Sequence, residues 1–157
     1  MEKTLFTCEL VTKEWKVVGM HITAPFPAGF PDAALQIHHE FWAKRNTIKH
    51  AVNRNVLLSP FICNEIVATY FACLEVDNLT SVPEGMMGFS IPATRYAQVS
   101  CTNKTIEKGY DVLLNWMHQN GYRQKVFKAF QVEVYDIQET AEEESVKLLI
   151  PILEGEG

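Results

Sequence analysis

Apolar and polar positions recur along this chain with two different periods, and the changes of period mark its elements. Two stretches keep helical spacing. In the first, Ala34, Ile37, Phe41 and Ile48, with Leu35, His38 and Trp42 alongside, predict a helix over Asp32–Asn46. Asp32 follows Pro31 and is placed to cap it. In the second, Ile106, Tyr110, Leu113, Leu114 and Met117 fall at i, i+4, i+7, i+8 and i+11, which predicts a helix over Thr105–Asn120. Asn120-Gly121 supplies its left-handed stop. Runs rich in Val, Ile, Phe and Tyr predict strands at Trp15–Ile22, Glu65–Val76, Met87–Ile91, Tyr96–Cys101, Phe130–Ile137 and Val146–Ile152. The connection Pro25–Pro31, with three prolines and two phenylalanines, suits neither a helix nor a central strand and reads as an ordered loop or lid.

The order of these elements repeats. Leu74-Glu75-Val76 is followed by Ile91-Pro92, and Val132-Glu133-Val134 is followed by Ile150-Pro151, with Glu-to-Ile spacings of 16 and 17. Each pair of strands is preceded by an amphipathic helix and, before that, by another strand. The chain therefore reads as an α+β fold, β-α-β-β twice, on an antiparallel sheet. The boundary is expected near Pro92–Arg95, with one repeat over about 1–92 and the other over about 93–157 of a single domain.

Alternation within the strands assigns faces. In Glu65–Val76 the even positions Ile66, Ala68, Tyr70, Ala72, Leu74 and Val76 are almost wholly apolar, whereas the odd set, Phe71 included, is mixed. In Phe130–Ile137 the positions Phe130, Val132 and Val134 are apolar, with Gln131, Glu133 and Tyr135 opposite. Packing the helices on the even faces leaves the odd faces of both halves to meet or to line a groove. Glu133 and Tyr135 are expected to point into it, with Tyr96, Gln98 and Ser100 contributed by the strand after Arg95.

Composition places few further constraints. The 157 residues are 47% hydrophobic and 21% charged, ordinary for a globular chain and far from disorder. The net charge of −5 argues against a protein held on nucleic acid by phosphate contacts. Residues 61–157 carry fourteen acids against seven bases, concentrated at Glu139, Glu142, Glu143, Glu144, Glu154 and Glu156. Met1–Thr12 lacks the basic and apolar regions of a secretory signal, and the apolar run Ile66–Leu74 is too short to span a bilayer. A cytoplasmic location without membrane contact is expected. Cys8, Cys63, Cys73 and Cys101 form no CxxC pair, so they read as reduced and mostly buried. Outside the secretory route the Asn78 and Asn103 sequons carry no meaning.

Catalytic and metal signatures are missing. His38-His39-Glu40 and His50 offer no i, i+4 histidine pair, and His21, His38 and His118 lie in no haem motif. There is no GxGxxG, GxxxxGK or GxSxG. No metal, cofactor or catalytic nucleophile is therefore expected. What stands out is Glu133, a carboxylate in mid-strand among Phe127, Phe130, Val132, Val134 and Tyr135. Such a group must be paired, protonated, exposed or functional. One reading is a solvated sheet face. The other is a buried anion in an aromatic groove awaiting a cation, for which nine Phe, five Tyr and three Trp supply ring faces. Besides Glu133 and Tyr135, the candidate ligand contacts are Tyr96, Phe71, Trp116 and Trp42; core packing competes for both tryptophans.

Several segments together resemble the effector-binding domain of the gyrase-inhibitor-like (GyrI-like) and AraC/MerR-type multidrug-regulator family. They are Pro83-Glu84-Gly85-Met86 through Ile91-Pro92-Ala93 to Tyr96-Ala97, Tyr110-Asp111 through Leu114-Asn115-Trp116, Phe130-Gln131-Val132-Glu133-Val134-Tyr135, and Leu149-Ile150-Pro151-Ile152. The resemblance runs from about Lys16 to Ile152. It implies a duplicated β-α-β-β fold with pseudo-twofold symmetry and a central groove for amphipathic, often cationic, drug-like molecules. The acid of the Phe-x-x-Glu-x-Tyr stretch, here Glu133, contacts them, with Tyr135 beside it.

Two departures follow. Regulators of this family carry a helix-turn-helix before the unit, for which there is no room ahead of Lys16, so a freestanding binding module without direct DNA contact is expected. The His and Gly common after the Tyr96-type strand are replaced by Ser100-Cys101-Thr102-Asn103. The favoured reading is a non-enzymatic binder of cationic amphiphiles, with homodimerisation open. Its competitors are a hydrolase using the groove acid as general base, with Gln98 or Tyr96 as polar partner, and a module that binds a large protein such as a topoisomerase.

Overall fold

The computed structural model describes residues 6–138 and 142–154, so Glu139 and Glu156 of the acidic tail lie outside the described residues. Strand β1 (Thr7–Pro25) leads through the proline loop to helix α1 (Asp32–Lys44), which ends in a 3-10 turn at Arg45–Thr47. Strands β2 (Val56–Cys63) and β3 (Val67–Glu75) complete the first unit. The second repeats the order as β4 (Met87–Thr102), α2 (Ile106–Gln119), β5 (Gln131–Asp136) and β6 (Ser145–Pro151). It begins at β4, because Met87–Ile91 and Tyr96–Cys101 are one strand. The expected boundary at Pro92–Arg95 falls inside that strand.

All pairings are antiparallel, in the order β1-β3-β2-β5-β6-β4, and β4 returns to β1 to close the sheet. Each unit pairs with its counterpart twice, β1 with β4 and β2 with β5. Exchanging the units leaves the strand order unchanged, so the fold carries a pseudo-twofold axis between the two halves.

Closure sorts the side chains into three packed sets. Trp15, Val17, Leu58, Phe71, Cys73, Ile91, Tyr96, Val132 and Leu149 fill the barrel interior. Helix α1 covers the outer face of β1, β2 and β3, where Val18, Leu57, Tyr70, Ala72 and Leu74 meet Ile37 and Phe41. Helix α2 covers β4 and β6, where Ala97, Val99, Leu148 and Ile150 meet Leu113 and Met117. Each helix buries one row at i, i+4, i+8: Ala33, Ile37, Phe41 in α1 and Gly109, Leu113, Met117 in α2. Asp32 makes no side-chain cap; it lies in the first turn of α1, where its charge complements the helix dipole. Gly121 provides the expected stop after α2 at φ +77°.

The even face of β3 packs on a helix as expected, and of the two outcomes open to its odd face, meeting its counterparts or lining a groove, it is the first that occurs: Phe71 of β3 and Tyr96 of β4 are core of the barrel interior. On β5 it is Val132 that points inward, while Tyr135 packs on the helix side. Glu133, between them, shares the face of Tyr135.

Candidate functional site

Strands β2 and β5 run side by side between the strands covered by α1 and those covered by α2, and their register sets Ser59 directly opposite Glu133. Pro60 follows Ser59. Proline lacks an N–H, and the β2–β3 ladder skips from the Leu58–Cys73 pair to the Phe61–Tyr70 pair across it. Glu133 is buried at 7% exposure. Its Oε1 accepts hydrogen bonds from the hydroxyls of Tyr70 at 2.5 Å and Tyr135 at 2.8 Å, and its Oε2 accepts one from Tyr110 at 2.6 Å. Three O–H donors on two oxygens complement an ionised carboxylate, which can only accept. Among the described residues no Lys or Arg pairs with it.

Each tyrosine comes from a different element: Tyr70 from β3, Tyr110 from α2 and Tyr135 from β5. Gly109 lets α2 come close enough to deliver Tyr110, since a Cβ there would stand 3.1 Å from both Cys101 Sγ and Leu148 Cδ1. On the α1 side, His38 Nε2 lies 2.9 Å from Ser59 Oγ and 3.2 Å from the Tyr70 hydroxyl. The roles at His38 Nε2 follow its tautomer: protonated, it donates to the Ser59 or Tyr70 oxygen; unprotonated, it accepts the Ser59 proton. Phe61 stacks on Tyr70 at 5.6 Å, Phe30 of the proline loop sits 6.1 Å from the same ring, and His38 meets Tyr135 edge-on at 4.9 Å.

Burial sets the ionisation of the cage. It pushes the Tyr70 and Tyr110 hydroxyls well above their ordinary value, with the Glu133 charge as the next cause, and it raises Tyr135 in the same way. It lowers His38 to about 4, leaving that imidazole neutral at physiological pH. The site is one anion held by neutral donors inside aromatic walls.

Of the residues expected from sequence, the structure brings together Glu133 and Tyr135. Tyr96 is fully buried in the barrel against Trp15, and Phe71 lies there against Phe89 and Phe130, on the other face of the sheet. The Trp42 ring is covered by the Arg45 guanidinium at 3.7 Å, and Trp116 packs on Tyr122 at 5.5 Å. Gln98 bonds Glu9 at 3.0 Å, away from the cage. Sequence reasoning missed Tyr70, Tyr110, His38 and Ser59. The signal was present in part: Tyr70 and Tyr110 are polar-tipped residues in otherwise aliphatic stripes, and a buried phenol needs a partner.

All four cysteines are free thiols; Cys73 and Cys101 are buried, Cys8 is half-buried and Cys63 is exposed. Among the described residues no cluster of His, Cys, Asp and Glu could hold a metal ion, and no helix is long and apolar enough to cross a membrane.

Comparison with known proteins gives this arrangement a family. No curated protein matches the chain in sequence. The structure of SAV2435 bound to tetraphenylphosphonium superposes with a TM-score of 0.65 at 15% identity, covering 96% of this chain and 95% of that one. The EcmrR C-terminal domain gives 0.70 at 13% identity, covering 97% and 100%. An integron cassette protein of Vibrio cholerae gives 0.62 at 11% identity, covering 95% and 98%. At these identities the likeness is one of fold. Residues 9–152 also match the profile of the integron-associated effector binding proteins. The chain belongs to that effector-binding family and has the GyrI-like fold.

Proposed function

We propose that the chain binds amphipathic, cationic, drug-like molecules in the cleft between α1 and α2, with Glu133 as the anion that recognises them. The observation that carries this reading is the uncompensated charge. Three tyrosine hydroxyls satisfy the hydrogen bonding of Glu133 but leave its formal charge unneutralised in apolar surroundings. A ligand that brings its own positive charge supplies what the fold omits. Tyr70, Tyr135, Phe61 and Phe30 then offer ring faces to its cationic and aromatic parts. That SAV2435, of the same fold, is described with tetraphenylphosphonium supports the ligand class. Because Glu133 is only 7% exposed, a cation reaches the carboxylate only when at least one hydroxyl moves aside.

Calorimetric titration with tetraphenylphosphonium and with neutral triphenylphosphine oxide tests the reading. Saturable binding that strongly favours the cation supports it; equal binding of both, or none, removes it.

A hydrolytic reading draws on the same hydroxyls, because a carboxylate with protonated phenols in contact could activate water and protonate a leaving group. Recovery of the ligand unchanged after prolonged incubation separates binding from turnover.

A further inference from the structure

One end of the barrel is left open between the tip of β2, the middle of β4 and the segment that enters β5. A cavity of about 350 Å³ lies there, lined by Ile62, Ile91, Pro92, Thr94, Val126, Lys128, Ala129 and Phe130. That volume is in the range of small-molecule sites. Its floor is the aromatic interior: Phe130 stacks on Phe89 at 5.6 Å and meets Phe71 at 6.0 Å. Glu133 is on the opposite face of β5, so the two places do not communicate through a shared wall.

Three features at this end are costly for the fold alone. Val126 and Phe127 stand 79% and 73% exposed, and Ile62 is 50% exposed, so an apolar rim faces water. Lys128 holds φ at +61°, a left-handed conformation that side-chain-bearing residues adopt at a penalty. The Tyr96 hydroxyl is buried and has no hydrogen-bond partner of good geometry. Its neighbour is Thr94 on the cavity wall, whose own proton goes to the Pro92 carbonyl at 2.7 Å.

The charges point to one kind of occupant. Among the described residues Lys128 is the single ionisable residue of the lining, no carboxylate faces the cavity, and no acid pairs with that ammonium. This is the reverse of the Glu133 cage.

We propose that the barrel end is a second small-molecule site, for a compact aromatic carboxylate. The ring enters between Ile62, Ile91 and Phe130, and the carboxylate meets Lys128. The protein then has two sites of opposite charge preference on the two faces of one sheet.

The test is titration of the full chain with 2-naphthoate and the neutral 2-naphthamide, followed by calorimetry and by methyl NMR shifts. Saturable naphthoate binding is expected, with shifts centred on the Ile62, Ile91 and Val126 methyls. Lys128 is at the surface, so Lys128→Gln keeps the fold; it is expected to weaken naphthoate about tenfold and leave naphthamide unchanged. Glu133→Gln, which strikes only the cation site, is expected to leave naphthoate affinity within about twofold, so the two readings fail separately. Equal naphthoate affinity in wild type and Lys128→Gln, shifts centred on the methyls around Glu133, or absence of saturable binding would overturn the proposal.

Discussion

Tyr110 on α2 and Glu133 on β5 are joined by a 2.6 Å hydrogen bond, and this bond ties the second helix to β5. Tyr70 does the same from β3 at 2.5 Å. The anion thus sits where elements of both structural units converge, and its donors serve stability and recognition at once.

Tyr70→Phe and Tyr110→Phe each remove one donor from a buried carboxylate without changing ring volume. Each is expected to destabilise the fold by about 1–3 kcal/mol in urea unfolding, with the pair deviating from additivity because both act on one group. A loss below about 0.5 kcal/mol for both would show the cage to be loose.

Gly109 offers a mechanical test. The methyls of Gly109→Val have no room between Cys101 and Leu148, so α2 is expected to lift from β4 and β6. A cost of about 1–3 kcal/mol is expected, with weakened cation binding as Tyr110 moves. Stability and affinity equal to wild type would remove the argument that close approach of α2 positions the cage.

His38 gives a pH signature. Its pKa falls from the ordinary 6.5 to about 4 on burial, so between those values the unfolded chain holds a proton that the folded chain refuses. Stability from this group is complete above pH 6.5 and is lost as pH falls toward 4, by at most about 3 kcal/mol. Melting curves at neutral and mildly acid pH are expected to show a larger acid loss in wild type than in His38→Gln. Equal losses would contradict the burial argument.

Alkali acts in the opposite direction. The folded-state pKa values of Tyr70, Tyr110 and Tyr135 lie above the unfolded value near 10, so their contribution is intact below pH 10 and fades above it. Tyrosinate absorbance from the cage is expected to rise together with loss of near-ultraviolet ellipticity. Ionisation of these phenols in a still-folded protein would count against the cage.

Much of this architecture is legible in the sequence, but the site is less so. The helical stripes locate α1 and α2, and the twofold order of elements comes through because alternation is strong in β3, β5 and β6. Strand β2 does not, since Pro60 interrupts a run that would otherwise read as a strand. Missing one strand slides the repeat alignment: Glu75 of β3 is matched to Glu133 of β5, whereas β3 corresponds by order to β6. The same omission inverts the face assigned to Glu133, because β2 is the strand that carries Ser59 opposite it on the helix side. The tyrosines are hidden for another reason. In a periodicity count a phenol ring scores as core, and only contact across elements reveals that its hydroxyl is directed at a carboxylate.

The central claim is that the Glu133 charge recognises a cation, and the most direct measurement is calorimetric titration of wild type and Glu133→Gln with tetraphenylphosphonium and triphenylphosphine oxide. Glutamine keeps the shape and one acceptor oxygen but removes the charge. Tetraphenylphosphonium is expected to lose about 5–150-fold in affinity, or roughly 1–3 kcal/mol, while the neutral ligand changes far less. Equal losses for the two ligands would mean that the carboxylate holds the tyrosines in place and nothing more, and the cation-binding account would be wrong.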